Sequence, residues 1–122
     1  MNYIYFQSRD ELLRIEASSI AYFEADRNYT SVVLANGFKG MIGSNLAKME
    51  QTLQNSLQEM SRRFVRIGKR YIINMKYICH INVLQQYLIL SDQRTFSYRL
   101  DVSKDALKKL KEIIVTSINN KA

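Results

Sequence analysis

The sequence has no proline, one cysteine, one histidine and four glycines. A disordered tail or linker would usually carry some proline. The hydrophobic share of 47% is that of an ordinary globular domain, not of a disordered chain. A single cysteine excludes an intramolecular disulfide. Cys79 stands beside His80 in the apolar run Tyr77-Ile78-Cys79-His80-Ile81. On a strand these two side chains point to opposite faces. A zinc site needs ligands that this chain does not have, so no metal and no cofactor are expected. The expected role of Cys79 is that of a small buried thiol. No charged segment followed by a long apolar stretch opens the chain, and a secretory signal is not expected. No window approaches the ~18 uninterrupted apolar residues of a membrane span. The expectation is a cytoplasmic protein with no membrane partner.

Catalytic patterns are missing too. There is no nucleophile elbow and no Gly-rich phosphate loop, and one histidine cannot be paired with a catalytic cysteine by sequence logic. Glu24 and Asp26 would share one face of a strand, but acids flanking a turn are usually solvated. Nucleophile, base and oxyanion donors do not form a complete set, so an enzyme is not expected.

What the chain does have is positive charge and many short β-branched segments. Eighteen Lys and Arg against eleven Asp and Glu leave a formal charge of +7. Such an excess attracts polyanions and speaks about partners, not about fold. With 122 residues and no linker or repeat, residues 1–122 read as a single domain able to bury its own core.

Residues 3–6 and 12–15 read as an opening hairpin. Residues 20–25 and 29–35 read as strands separated by the polar loop Asp26-Arg27-Asn28. Asn36-Gly37 supplies a turn into residues 38–42, because both tolerate positive φ. A helix follows, capped by Ser44 or Asn45, with a stripe of Leu46, Met49, Leu53, Leu57 and Met60. A second helix starts at Ser103, with Leu107, Leu110, Ile114 and Ile118 on one side and Lys108, Lys109 and Lys111 on the other. The segments between the helices (64–67, 71–74, 77–82, 87–90 and 95–100) are short, rich in Tyr, Ile and Val, and without helical period. This pattern predicts a mostly-β domain with one packed helix and one C-terminal helix. The second helix is terminal with a wide apolar face, which is a poor fit to a helix-turn-helix.

From Arg62 to Lys76 six cations lie within fifteen residues, interleaved with aromatic and β-branched residues. Alternation would keep the apolar side chains on one face and leave a cationic rim. Gly68-Lys69-Arg70 falls at a strand break, where cations can reach phosphates and guanidinium forks can reach guanine edges. The same segment also fits a solvated hairpin whose charges prevent edge pairing.

Three blocks occur in order along the chain. The first is Ile20-Ala21-Tyr22-Phe23-Glu24-Ala25 with Asn28-Tyr29-Thr30. The second is Phe64-Val65-Arg66-Ile67 followed by Tyr71-Ile72-Ile73-Asn74 and Ile78. The third is Val102-Ser103-Lys104 leading into Leu107-Lys108-Lys109-Leu110-Lys111. In these the chain resembles the LytTR family of bacterial DNA-binding domains, over residues 6–114. The resemblance implies short antiparallel strands in small stacked sheets and inter-strand loops that enter successive major grooves. It implies sequence-specific binding of duplex DNA by a transcription regulator, as a monomer or as an oligomer on repeated sites.

The DNA-binding residues so implied are Asn28, Tyr29 and Thr30 after the Glu-Ala motif, Lys69 and Arg70 between the second-block strands, and Lys104 at the final helix. Members of the family commonly have His where this chain has Gly68, Ser where it has Arg70 and Arg where it has Lys104. Lys cannot make the bidentate fork of Arg to guanine, so base preference does not carry over at those positions. Family members usually have a receiver domain before this part. Here its input is expected to be missing or supplied by a separate sensor or receiver protein, unless the sequence is an excised domain. Two alternatives remain beside duplex binding. One is a protein-interaction module, and the other is a single-stranded nucleic-acid binder that uses the eight tyrosines as stacking platforms.

Overall fold

The computed structural model describes residues 2–119. The first half runs β1 (Tyr3–Gln7), β2 (Leu12–Glu16), β3 (Ile20–Asp26), β4 (Tyr29–Leu34), β5 (Lys39–Ile42) and α1 (Leu46–Leu57). The second half runs β6 (Phe64–Ile67), β7 (Tyr71–Asn74), β8 (Ile78–Asn82), β9 (Tyr87–Ser91), β10 (Ser97–Asp101) and α2 (Lys104–Asn119). The strands form three antiparallel sheets: the hairpin β1-β2, a central sheet in the order β5-β4-β3-β7-β6, and a third in the order β10-β9-β8. The mostly-β class with two helices is as the sequence predicts.

The central sheet is covered on both faces. Along β7, Ile72 packs with Ile4, Ile15, Phe23, Val32 and the α1 residues Leu46, Met49, Leu53 and Leu57. Its neighbours Tyr71 and Ile73 point the other way, toward Leu88, Leu90, Leu100, Leu107 and Leu110. Successive side chains of a strand alternate between faces. A strand with a core on each side therefore reads as an unbroken apolar run instead of alternating. This is why all four residues of Tyr71-Ile72-Ile73-Asn74 are buried, and it leaves no cationic rim along β7. Asn74, the one polar member, donates from Nδ2 to the Ile20 carbonyl at 2.9 Å and accepts from the Lys76 amide at 3.0 Å. Tyr98 ties the third sheet to β4 by donating to the Leu34 carbonyl at 2.8 Å.

Both helices start where their caps indicate. The Asn45 side chain accepts from the Lys48 amide at 2.9 Å, and Ser103 Oγ accepts from the Ala106 amide at 3.4 Å. Their ends differ from expectation. Gln58, at φ +50°, stops α1, so Met60 falls in a 3₁₀ turn beyond it, still packed against the same core. The α2 stripe is buried at Leu107 and Leu110, half-buried at Ile114, and 61% exposed at Ile118. Among the described residues no buried cluster includes the last turns of the helix, so its periodicity continues where burial does not.

Cys79 is exposed, contrary to the buried thiol expected. The pairing of β8 with β9 slips between Ile78 and His80, opposite Leu90 and Ile89. A bulge of this kind inserts an unpaired residue and re-aims its neighbours. Cys79 and His80 are both exposed. No helix among the described residues is long and apolar enough to cross a membrane.

Candidate nucleic-acid interface

The register of the central sheet determines which loops share an end. Asp26 pairs with Tyr29 across the β3–β4 turn, leaving only Arg27 and Asn28 to make it. Glu24 pairs with Tyr71, so the start of β7 lies beside the end of β3. The Ala25 amide extends this pairing by donating to the Arg70 carbonyl at 2.8 Å. The Gly68-Lys69-Arg70 turn therefore sits next to the Arg27-Asn28 turn. The start of α2 joins them, because a Cβ placed on Gly68 would lie 3.8 Å from Cβ of Ala106. Thr30 pairs with Ile42, which brings the loop before α1 to the same end.

Five of the six residues implied by the family resemblance are on the surface here. Asn28, Lys69 and Lys104 are exposed, Tyr29 is 54% exposed and the Arg70 side chain 62%. Thr30 differs from the other five in being buried. It is 0% exposed, and its hydroxyl donates to the Ser44 carbonyl at 2.7 Å. Tyr29 and Thr30 take opposite faces of β4, and the Thr30 face is covered by the loop before α1. In this arrangement the Thr30 hydroxyl is tied to that loop.

The cationic segment is not one surface. β6 and β7 are antiparallel, with Ile67 opposite Tyr71 at one end and Phe64 opposite Asn74 at the other. Lys69 and Arg70 lie at the first end, whereas Arg62, Arg63 and Lys76 flank the second. Three residue steps of strand, about 3.4 Å each, hold the two groups ~10 Å apart. Arg66, between them, is 3.6 Å from the Glu50 carboxylate.

Two residues at this end escaped the sequence reading. Arg27 is exposed at the turn tip with φ +58°, a left-handed conformation uncommon for a side-chain-bearing residue. Its signal was present, as the one cation in the polar loop. Glu24 is not the solvated acid that its place beside a turn suggests: its side chain is only 20% exposed and ion-pairs with Arg70 at 2.6 Å. No local pattern links residues 46 positions apart. The hydrogen bond from Arg70 to Glu24 raises the arginine pKa further above its ordinary value. Burial, with Glu24 second, pushes the Tyr22 hydroxyl up to about 12 and raises that of Tyr71. With all three values raised, Arg70 stays charged and Tyr22 and Tyr71 stay neutral near neutral pH. Among the described residues, no three His, Cys, Asp or Glu side chains come together to hold a metal ion.

Residues 10–115 match the sequence model of the LytTr DNA-binding domain. The chain belongs to this family. A solved LytTr DNA-binding domain from Bacillus cereus is 19% identical to it, with a TM-score of 0.67 over 93% of this chain and 97% of that one. At that identity the likeness speaks for a shared LytTr fold alone. No curated protein matches the chain. The exposed turns of this LytTr domain thus lie on the scaffold of a DNA-binding family.

Proposed function

We propose that this LytTr domain binds duplex DNA sequence-specifically as a transcription regulator, through the loops at one end of its central sheet. The observation that carries the reading is convergence. Arg27-Asn28-Tyr29, Lys69-Arg70 and Lys104 come from three distant stretches of sequence and share one exposed end. Lys69 and Lys104 suit phosphate, since an ammonium is a compact and flexible point charge. Arg27 adds a guanidinium at the tip of its turn. The first turn of α2 begins beside Gly68, and a helix start favours an anion. Arg70 and Asn28 have the donors to read base edges in a major groove.

Burial of the tyrosines weighs against a single-strand binder. Tyr71, Tyr77 and Tyr87 are core residues, and Tyr22 and Tyr98 are half-buried. Three stay exposed, Tyr3 and Tyr5 on β1 and Tyr29 at the turn.

The test is a binding titration on duplex and single-stranded DNA at several salt concentrations. Each neutralised phosphate contributes about −0.9 to the log–log salt slope, so three to four contacts predict roughly −3 to −4 on duplex. A flat salt response, or tighter binding to single strands, would refute the proposal.

A further inference from the structure

Arg70 is not a free cation at the proposed interface. Its Nε donates to Glu24 Oε2 at 2.8 Å, and its Nη2 lies 2.6 Å from the same oxygen. The guanidinium carbon stands 5.3 Å from the centre of the Tyr71 ring. Glu24 and Tyr71 are directly opposite each other on β3 and β7, so both partners are held by the register of the central sheet. The carboxylate is largely enclosed and the arginine largely open, with side-chain exposures of 20% and 62%. One edge of the guanidinium is thus fixed by protein, and the opposite end is left to solvent.

An arginine has five N–H groups in a planar fork. Glu24 engages the Nε–H and the adjacent Nη2 side. Three hydrogens remain, two on Nη1 and the outer one on Nη2, and one from each of these nitrogens forms the pair of donors that meets two acceptors end-on. The paired acceptors of a guanine edge, O6 and N7, fit that pair and carry no formal charge. A phosphate oxygen would have to approach the same end within a few ångströms of the Glu24 carboxylate. Asp101, at the end of β10, is near enough to act on Arg70 and Tyr71 and adds a second negative charge.

We infer that Glu24 is a positioning residue that makes Arg70 a reader of a base edge and keeps it off the phosphates. The inference rests on the duplex-binding function proposed above and adds a specificity determinant to it. Pinning the side chain before binding also spares the rotamer ordering that a mobile arginine would undergo on the DNA.

The experiment uses the full chain and two probes: a duplex enriched from a random pool by the wild-type protein, and its scrambled counterpart. Glu24→Gln keeps the shape and removes the charge. It is expected to lower the preference for the enriched duplex by roughly 5- to 150-fold, the range of one bidentate contact. Its salt slope on scrambled DNA should steepen by about one, because Arg70 is then available to a phosphate. Arg70→Lys, an exposed change that keeps the charge and loses the fork, should lose the same preference. In an Arg70→Ala background, Glu24→Gln should leave the preference where Arg70→Ala alone puts it. If Glu24→Gln keeps the wild-type preference and slope, or if Arg70→Lys keeps the preference, the positioning role is wrong while duplex binding stands. If the wild-type protein binds no duplex, or enriches no sequence, the proposed function falls and this inference with it.

Discussion

Replacing Thr30 by valine separates a buttress from a DNA contact. The two side chains have nearly the same shape, so the change removes one hydroxyl and adds one methyl. In the structure that hydroxyl is fully buried and donates to the Ser44 carbonyl at 2.7 Å. Losing a typical intramolecular hydrogen bond costs ~0.5–1.5 kcal/mol, and a carbonyl left dry costs ~1–3 kcal/mol. Ser44 is half-exposed, so water can reach part of this site and the lower range applies. The added methyl returns up to about 0.8 kcal/mol of burial. The net expectation is a loss of ~0.5–2 kcal/mol, or a fall of a few degrees in Tm for a chain of this size. Thermal and denaturant unfolding measure that loss. A duplex titration well below the Tm should give the wild-type Kd, and Thr30→Ser, which keeps the hydroxyl and loses the buried methyl, should lose about 0.8 kcal/mol with the wild-type Kd unchanged. Weakened duplex binding by a Thr30→Val protein of unchanged stability would refute the reasoning, because it would mean that the hydroxyl meets DNA and not Ser44.

Leu53, 2% exposed in the α1 core, should cost ~2–5 kcal/mol as Leu53→Ala in urea unfolding. A loss under half of the lower figure would mean that α1 is not docked as described. Lys69→Ala and Lys104→Ala should each weaken specific and scrambled duplexes by similar factors and lower the salt slope by about one. A loss confined to the specific duplex would move either residue to base reading. Asp92, in the β9–β10 turn, accepts from the hydroxyl and amide of Thr95 and the amides of Arg94 and Phe96, which hold its carboxyl well below the usual carboxylate range. A depressed folded pKa stabilises fully above the unfolded value near pH 4 and fades as pH falls through the folded one. Tm measured from pH 6 downward should therefore decline less steeply in Asp92→Asn than in the wild-type protein, and identical slopes would count against the role of this turn.

Local chemistry decides the features that the sequence alone determined. The helix starts at Asn45 and Ser103, the Asn36-Gly37 turn with Gly37 at φ +93°, and the mostly-β class depend on neighbours a few residues apart. The three LytTr blocks carried the family in the same way, since each is a short run with its own spacing. What depended on tertiary structure was the side of each element that another element covers. Alternation along β4 implies that Tyr29 and Thr30 face opposite ways, but only the loop before α1 makes Thr30 the buried one. A bulge in β8 exposed Cys79, and α2 outran its core at Ile118, because periodicity describes a face and not what lies under it. The run of cations from Arg62 to Lys76 looked like one surface, yet an antiparallel turn sends its halves to opposite ends of a sheet. The pairing of Glu24 with Arg70 lay furthest from view. It joins two strands separated by β4, β5, α1 and β6 in sequence, and it exists only because the sheet register places β7 directly against β3.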